Sequence, residues 1–301
     1  MKTSNLINVF LIIILFSYCK NENNIKPVSP EYKKEVEDWH KKRIENLKKE
    51  NGWLNLIGLY WLEEGENTFG SSENNKIVFP ENAPAEIGKF VKIDSTIFFE
   101  NSKNVSVLSN GKKIDKIEMQ IDLSGNPTIL EIDSFRWFII KRDEKFGIRL
   151  RDLNSDLVKN FEGIERFPID ENWKVKAKFL PYDKPKEVQI PTILGTIEKD
   201  YSPGKLVFKI DNKEFSAEPT SAGKDLFLVF ADLTSGEETY GAGRFLYIEK
   251  PDSNNNVIID FNKSYNPPCA FTKFATCPLP TDENKLRVRI TAGEKNNGES
   301  H

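Results

Sequence analysis

Residues 240–295 read YGAGRFLYIEKPDSNNNVIIDFNKSYNPPCAFTKFATCPLPTDENKLRVRITAGEK. This stretch holds two of the three cysteines, and two predicted strands in it lead into a long loop from Asp260 to Pro280. The loop combines Asp, Asn, Tyr, Cys and Pro, a mixture that a simple turn between strands does not require. We therefore expect the chain to be organised around this segment, with a candidate site in its loop.

Upstream of this stretch the hydrophobic pattern has mostly a period of two. Residues 173–179, WKVKAKF, alternate apolar side chains with lysines, which predicts a strand with one buried and one solvated face. Further strand candidates are separated by turn signals at intervals of about 8 to 12 residues, and Asn110-Gly111 is a strong hairpin signal. The sequence predicts a mainly β (α+β) protein with an antiparallel sandwich or barrel-like sheets.

One amphipathic helix is predicted near the N-terminus, from Glu31 to Glu50, where Asn51-Gly52 supplies a stop. Five residues at spacings of 4, 3, 4 and 4 fall on one face of it: Tyr32, Val36, Trp39, Arg43 and Leu47. An arginine in this stripe can stack on an aromatic ring or pair with a carboxylate beneath the helix. Alternatively, its stem lies at the edge of the stripe and its charge stays in solvent.

The segment from Pro181 to Pro191 contains three prolines, which predicts a loop or a boundary between halves. Strands are expected to resume at Thr192–Ile197. No other shift in composition marks a domain boundary. The simplest prediction is one β-rich domain over residues 31–295, followed by a disordered tail at 296–301.

The first 19 residues are predicted to be a targeting segment. Lys2 precedes an apolar run from Leu6 to Phe16, which is about half the length that a membrane-spanning helix needs. Residues 15–19, LFSYC, resemble a bacterial lipobox, although Tyr18 stands where that pattern has a small residue. Cys19 would then be the lipidated first residue and residues 20–30 a flexible tether. The alternative is an ordinary signal peptide or uncleaved anchor with an incidental cysteine.

If Cys19 is lipidated, the protein is held at a membrane of the bacterial cell envelope through its lipid alone, on the periplasmic or surface face. The net charge of −3, with both signs interspersed, gives no footprint for nucleic acid. Two histidines, His40 and His301, argue against a histidine-ligated metal and a Ser-His-Asp triad. GAGR at 241–244 is too short for a phosphate-binding glycine motif, so no cofactor and no metal are expected.

Several charged residues share the phase of their apolar neighbours. Arg244 is in phase with Leu246 and Ile248, and Asp232 continues the buried phase of the strand before it. A charge held against apolar surface must be paired or hydrogen-bonded, because bare burial costs several kcal/mol. The ligand-binding candidates, from this pattern and from the loop, are Arg43, Arg149, Asp152, Asp232, Arg244, Asp260, Asn262, Tyr265, Asn266 and Glu294.

These candidates allow two interpretations. In the first they form a polar pocket, in which Arg149 and Arg244 hold an anionic group and Asp152 or Asp260 accepts a proton. In the second they are an internal network of ion pairs that closes one end of a sandwich.

Cys269 and Cys277 lie within the same loop, each next to a proline. With Cys19 lipidated, they form an even pair outside the cytoplasm, which suits a disulfide. The alternative is two buried reduced thiols. A cysteine nucleophile is disfavoured because no histidine is near in sequence to activate it.

Several of these segments match a family pattern. GRFL, DFNKSYNPPCAFT, FATCPLPTDENKL and ITAGEK, with GWLNLIGLYWLEEGENTFGS, GIRLRD and FEGIERFPID upstream, resemble an uncharacterised bacterial family, domain of unknown function number 1684. The resemblance implies no activity. It implies members that are secreted, lipid-anchored or cytoplasmic, so it does not require an oxidising compartment.

The sequence therefore supports two functional hypotheses. One is a cell-envelope lipoprotein with a polar pocket that binds or hydrolyses a small anionic or polar ligand. The other is a non-enzymatic envelope lipoprotein whose polar loop packs structurally or docks a partner.

Overall fold

The computed structural model describes residues 28–296. The predicted signal segment, Cys19, most of the tether and the last five residues lie outside this range. Within it, no helix is both long and apolar enough to cross a membrane.

The described chain is mainly β, with antiparallel sheets and one long N-terminal helix, which confirms the predicted fold class. Its α-helices are α1 (Pro30–Lys48) and α2 (Asp156–Asn160). Its strands are β1 (Leu56–Trp61), β2 (Gly65–Gly70), β3 (Ile77–Val78), β4 (Gly88–Ile93), β5 (Thr96–Asn101), β6 (Leu108–Ser109), β7 (Lys112–Lys113), β8 (Lys116–Glu118), β9 (Leu130–Ile132), β10 (Phe135–Arg142), β11 (Lys145–Asp152), β12 (Lys174–Pro191), β13 (Ile197–Ile210), β14 (Lys213–Ala217), β15 (Thr220–Ala222), β16 (Asp225–Phe230), β17 (Arg244–Glu249) and β18 (Asn256–Asp260). Short 3-10 turns lie at Asp122–Ser124, Glu171–Trp173, Phe261–Lys263, Pro268–Ala270 and Asp282–Asn284.

Helix α1 forms close to its predicted bounds. The Ser29 hydroxyl caps it by accepting a hydrogen bond from the Tyr32 N–H at 3.3 Å. The Glu31 carboxylate lies in the first turn, where its negative charge stabilises the positive end of the helix dipole. Tyr32, Val36 and Leu47 are buried, as the spacing of the stripe predicts. The helix therefore packs on the β structure through that stripe.

The first core lies between two sheets of the N-terminal half. The strand orders are β1-β11-β10-β9-β6-β7 and β3-β2-β4-β5-β8. Trp137 and Ile148 enter this core from the first sheet, and Phe69, Phe90 and Phe99 enter it from the second. Because side chains alternate along β11, its arginines Arg149 and Arg151 project from the opposite face of the six-stranded sheet.

The second core lies between the sheets β14-β13-β12-β18 and β15-β16-β17. Phe208, Phe230 and Leu246 contribute to it from the strands, and Phe261 enters it from the turn that follows β18. The segment after Leu286 crosses this core without joining a sheet, yet Ile290 is buried there.

A third buried cluster joins α1 to the disulfide loop, defined here as Cys269–Cys277. Leu47 of α1 packs in this cluster with Leu54 and Phe271. The disulfide loop also reaches the first sheet, where the Thr272 hydroxyl donates to the carbonyl of Leu56 at 2.9 Å. One loop therefore contacts the helix and both halves of the β structure.

The prediction of a loop at Pro181–Pro191 is wrong, because β12 runs through this whole segment. It pairs with β13 on one side, with an interruption of the register between Pro181 and Lys186. On its other side β18 pairs with residues 174–178 alone. Proline is tolerated at a bulge and on a strand edge where its position donates no hydrogen bond to a neighbouring strand. β12 has an irregular register between Pro181 and Lys186, and it has a free edge beyond residue 178.

The strand predicted at Thr192–Ile197 is also wrong, since residues 192–196 form the turn between β12 and β13 and only Ile197 belongs to a strand, as the first residue of β13. The Thr192 N–H donates to the Thr196 carbonyl at 2.9 Å, and the Gly195 N–H donates to the Thr192 carbonyl at 3.0 Å. Gly195 has φ of +75°, a left-handed conformation that glycine adopts at low cost. A tight turn therefore replaces the β-branched strand that composition suggested.

Candidate functional site

Arg244 and Asp232 form a buried ion pair at the adjoining ends of β17 and β16. Arg244 is fully buried, and its Nη2 lies 2.6 Å from Asp232 Oδ2. The same guanidinium donates to the carbonyls of Ile290 and Ala292, while Asp232 Oδ1 accepts from the Thr234 N–H and hydroxyl at 2.7 and 2.6 Å. Burial lowers the pKa of Arg244, and the Asp232 carboxylate opposes this shift without cancelling it. Both charges are thus paired inside the protein, and Arg244 Nε alone makes no hydrogen bond within this group.

Asp260 and Asn262 belong to a second polar group, under the start of α1. The Tyr32 hydroxyl donates to Asp260 Oδ1 at 2.7 Å, and Lys263 lies 3.5 Å from the other carboxylate oxygen. The Asn262 side chain pairs with the backbone of Asp170 in both directions, at 2.9 and 3.0 Å. Burial and the neighbouring carboxylate raise the pKa of Tyr32. This group fixes the helix to the end of β18.

Arg43, Tyr265, Asn266 and Glu294 form a third group. The Arg43 guanidinium lies 4.6 Å from the Tyr265 ring centroid, and its Nε lies 3.4 Å from Glu294 Oε1. It also donates to the Asn266 carbonyl at 2.9 Å. Arg43 therefore stacks on an aromatic ring and pairs with a carboxylate at once, the two alternatives that its place in the helical stripe indicates.

Glu294 is 1% exposed and has one backbone donor, the Asn266 N–H at 2.7 Å from Oε2. Oε1 receives no hydrogen bond. Burial raises the pKa of Glu294, while Arg43 and the Asn266 N–H oppose that shift. Burial dominates because the carboxylate is almost completely removed from solvent.

This raised pKa makes Glu294 a source of pH-dependent stability. The folded state keeps the proton at a pH where the unfolded chain has released it, so the contribution of Glu294 to stability falls as pH rises through its folded pKa. We expect the stability of Glu294→Gln, relative to wild type, to improve as the pH rises above about 4, the ordinary pKa of glutamate in an unfolded chain, until the folded pKa is passed. Urea unfolding across this range measures it. The exposed Glu283→Gln is the control, and parallel profiles for both variants would contradict the assignment.

Two glycines let these charged residues reach their places. Gly243 has φ of +90°, and a Cβ there would lie 2.5 Å from the Phe230 carbonyl oxygen. Gly293 has φ of +77°, and a Cβ there would lie 2.5 Å from the Ser264 carbonyl oxygen. Gly243 precedes Arg244 and Gly293 precedes Glu294. The close approach of the backbone at each glycine therefore determines where the following charged side chain enters the protein interior.

Arg149 lies in a fourth group, on the outer face of the six-stranded sheet. It is 5% exposed, and its Nη2 donates to the Thr276 hydroxyl at 3.4 Å. Arg142 Nε donates to the same hydroxyl at 3.1 Å, and the Trp53 ring lies 5.4 Å from the Arg149 guanidinium. Burial, with Arg142 and Arg151 nearby, lowers the pKa of Arg149 to about 10, so it stays cationic at neutral pH.

Asp152 stands at the end of the same strand but serves a local turn. Its Oδ1 accepts from the Asn154 N–H at 2.9 Å, and its own N–H donates to the Asn55 carbonyl at 2.8 Å. Over residues 28–296, no hydrogen bond or ion pair joins Arg149 to Arg244, Asp260 or Tyr265. The ten candidates thus occupy separate groups, and their ligand-binding role stays a prediction.

The sequence reasoning missed Arg142, Thr276 and Trp53 as members of the Arg149 group. Arg142 could have been found from the pairing of β10 with β11, because this pairing places the side chains of Arg142 and Arg149 on the same face of the sheet. Thr276 is distant in sequence and is brought there by the disulfide loop, whose cysteines are bonded in this structure.

A groove of about 1050 Å³ opens between α1, the α2 segment and the disulfide loop. Its apolar wall consists of Ile44, Leu157, Phe161, Ile164, Ala270 and Phe271. Carboxylates of Asp156, Glu162 and Glu165 stand around it. None of the ten candidates lines the groove, and within residues 28–296 no cluster of His, Cys, Asp and Glu could hold a metal ion.

Residues 159–295 match the sequence model of the family described as "Protein of unknown function (DUF1684)". The matched region contains the GRFL, DFNKSYNPPCAFT and FATCPLPTDENKL segments that carry the resemblance. The first β core and the Arg149 strand precede it. No curated protein matches the chain.

Two solved structures show partial likeness. An uncharacterised protein from Haloarcula marismortui, determined by solution NMR, is 24% identical and has a TM-score of 0.40; the match covers 47% of this chain and 80% of that one. The Rv0020c_FHA structure is 10% identical with a TM-score of 0.22, covering 31% of this chain and 88% of that one. Similarity at this level assigns no function.

Proposed function

We propose that the protein is a lipid-anchored lipoprotein of the bacterial cell envelope that binds a small polar, anionic ligand. The observation that carries the ligand is Arg149, a buried guanidinium that meets no carboxylate partner among residues 28–296. A buried charge without a counter-ion is costly, and an anionic ligand offsets that cost. The LFSYC segment ending at Cys19 supports the anchor.

Binding fits the structure better than hydrolysis does. A general acid or base must reach the substrate, yet the carboxylates of Asp232, Asp260 and Glu294 are each engaged by internal partners. These same contacts favour a second candidate function, a non-enzymatic structural or partner-docking lipoprotein in which the polar groups hold α1, the loop and the sheets together.

Two measurements test the proposal. We expect Cys19→Ser to move the protein from the membrane to the soluble fraction, because one acyl-anchored residue provides the membrane contact. A Cys19→Ser protein that remains in the membrane fraction contradicts the anchor. The second measurement is a thermal-shift assay with phosphates, sulfates, carboxylates and neutral sugars. We expect only anionic compounds to raise the melting temperature of the protein. If no compound does so, ligand binding is wrong and the structural candidate stands.

A further inference from the structure

The outer face of the six-stranded sheet carries four arginines on two adjacent strands: Arg136 and Arg142 of β10, with Arg149 and Arg151 of β11. Cross-strand pairing places Phe138 opposite Arg149, and Arg142 lies on the same face four residues further along β10, opposite Lys145. The four guanidiniums thus share one side of the sheet, which concentrates positive charge there.

Arg142, Arg149 and Arg151 differ in how their charge is satisfied. Arg142 pairs with Asp122 at 2.6 Å, and Arg151 donates to the Asn55 side chain and to the carbonyl of Gly52. Arg149 has neither a carboxylate nor a carbonyl acceptor within residues 28–296, and its buried Nε makes no hydrogen bond. The face therefore retains positive charge around its most deeply placed guanidinium.

Thr276 offers a further hydrogen-bond donor beside Arg149. A threonine hydroxyl accepts two hydrogen bonds and donates one. Both acceptor positions are used, by Arg142 Nε at 3.1 Å and Arg149 Nη2 at 3.4 Å. Its proton therefore points away from the two guanidiniums and, because Thr276 is only half-buried, is available to a ligand or to water.

We propose that Arg149, Arg142 and Thr276 form a binding site for a small oxyanion of the phosphate class. The proposal rests on the proposed binding function and specifies its ligand and its site. Planar guanidinium donors and a hydroxyl donor match the several acceptor oxygens of a tetrahedral oxyanion, and charge-assisted hydrogen bonds of this kind are the strong ones. Trp53 packs within 6 Å of both Arg149 and Arg151, so it holds the donors in place.

The ligand is a soluble phosphate or phosphate monoester rather than a lipid headgroup. Arg149 is 5% exposed, and the disulfide loop stands over the same sheet face through Thr276. A headgroup fixed in a bilayer would have to pass this loop, whereas a free oxyanion can enter alone. Vesicles of phosphatidylcholine containing phosphatidic acid should therefore neither bind the site nor compete with inorganic phosphate.

The test is isothermal titration of the purified full chain with inorganic phosphate. We expect saturable binding that falls at least about tenfold in affinity in Arg149→Gln, because a charge-assisted donor is lost. Thr276→Val should weaken binding as well. The matched control is Arg136→Gln, which removes the same charge from the same face of the sheet. Arg136 differs from Arg149 in having a carboxylate partner, Glu131, at 2.9 Å. Its affinity should stay within about twofold of wild type.

Equal losses in Arg149→Gln and Arg136→Gln would show general electrostatic attraction and overturn the site. Unchanged phosphate affinity in a folded Arg149→Gln, or competition by the vesicles, would also overturn it. Should Arg149→Gln fail to fold, Thr276→Val and Arg149→Lys decide by the same criterion. If phosphate does not bind but another anion of the thermal-shift panel does, this site is wrong and the binding function stands. If none binds, both are wrong.

Discussion

Replacing Arg244 by alanine is expected to destabilise the folded protein by about 3–5 kcal/mol. The substitution leaves the Asp232 carboxylate buried without its cation, and it removes the donors to two backbone carbonyls, those of Ile290 and Ala292. Desolvation of an unpaired charge is the larger part of this cost. Urea or guanidinium unfolding monitored by circular dichroism gives the change in free energy of unfolding.

The control for this prediction is Arg289→Ala. Arg289 also pairs with carboxylates, those of Glu237 and Glu238, but at the exposed surface, where ion pairs contribute about 0–1 kcal/mol. A double change, Asp232→Asn with Arg244→Met, should recover part of the loss, because no unpaired charge remains. Equal destabilisation by Arg244→Ala and Arg289→Ala would refute the importance of burial.

Phe261→Ala should cost a similar amount, about 3–5 kcal/mol. Phe261 is fully buried in the second core, with its ring centroid 5.5 Å from that of Phe230 and 6.0 Å from that of Phe208. Removing the ring leaves a cavity that this packed layer can fill only in part. The same unfolding measurement applies, and the midpoint should fall without a change in slope.

Ile258→Ala is the matched control, on β18 three residues earlier. Ile258 is 44% exposed, so its truncation should change stability by less than about 1 kcal/mol. A comparable loss at both positions would mean that β18 as a whole, rather than the core beneath Phe261, determines the effect.

The burial of the charged residues was predictable from sequence, but their partners were not. Strand phase placed Asp232 and Arg244 among apolar neighbours, and both are buried. Which carboxylate meets Arg244 depends on the β16–β17 register, which sets Phe230 opposite Arg244 and brings Asp232 alongside. Register is fixed by packing and turn geometry that the phase of a single strand does not contain.

The two wrong predictions around residues 181–197 have a related cause. Proline excludes a central strand, but it does not exclude an edge, and the sequence does not show which strands lie at an edge. β18 pairs only with residues 174–178 of β12. The remainder of β12 is therefore an edge on that side, where prolines are tolerated. Tertiary arrangement, not local propensity, decided the structure there.

The disulfide loop has its covalent ends in the C-terminal half and its contacts on the N-terminal sheet, through Thr272 and Thr276. A truncated protein beginning near residue 159, where the DUF1684 match starts, would lose the sheet that this loop rests on. An N-terminal fragment would in turn leave Arg149 without its hydroxyl acceptor. The boundary of the family match therefore cuts through a shared interface and does not mark a place where the chain divides into autonomous parts.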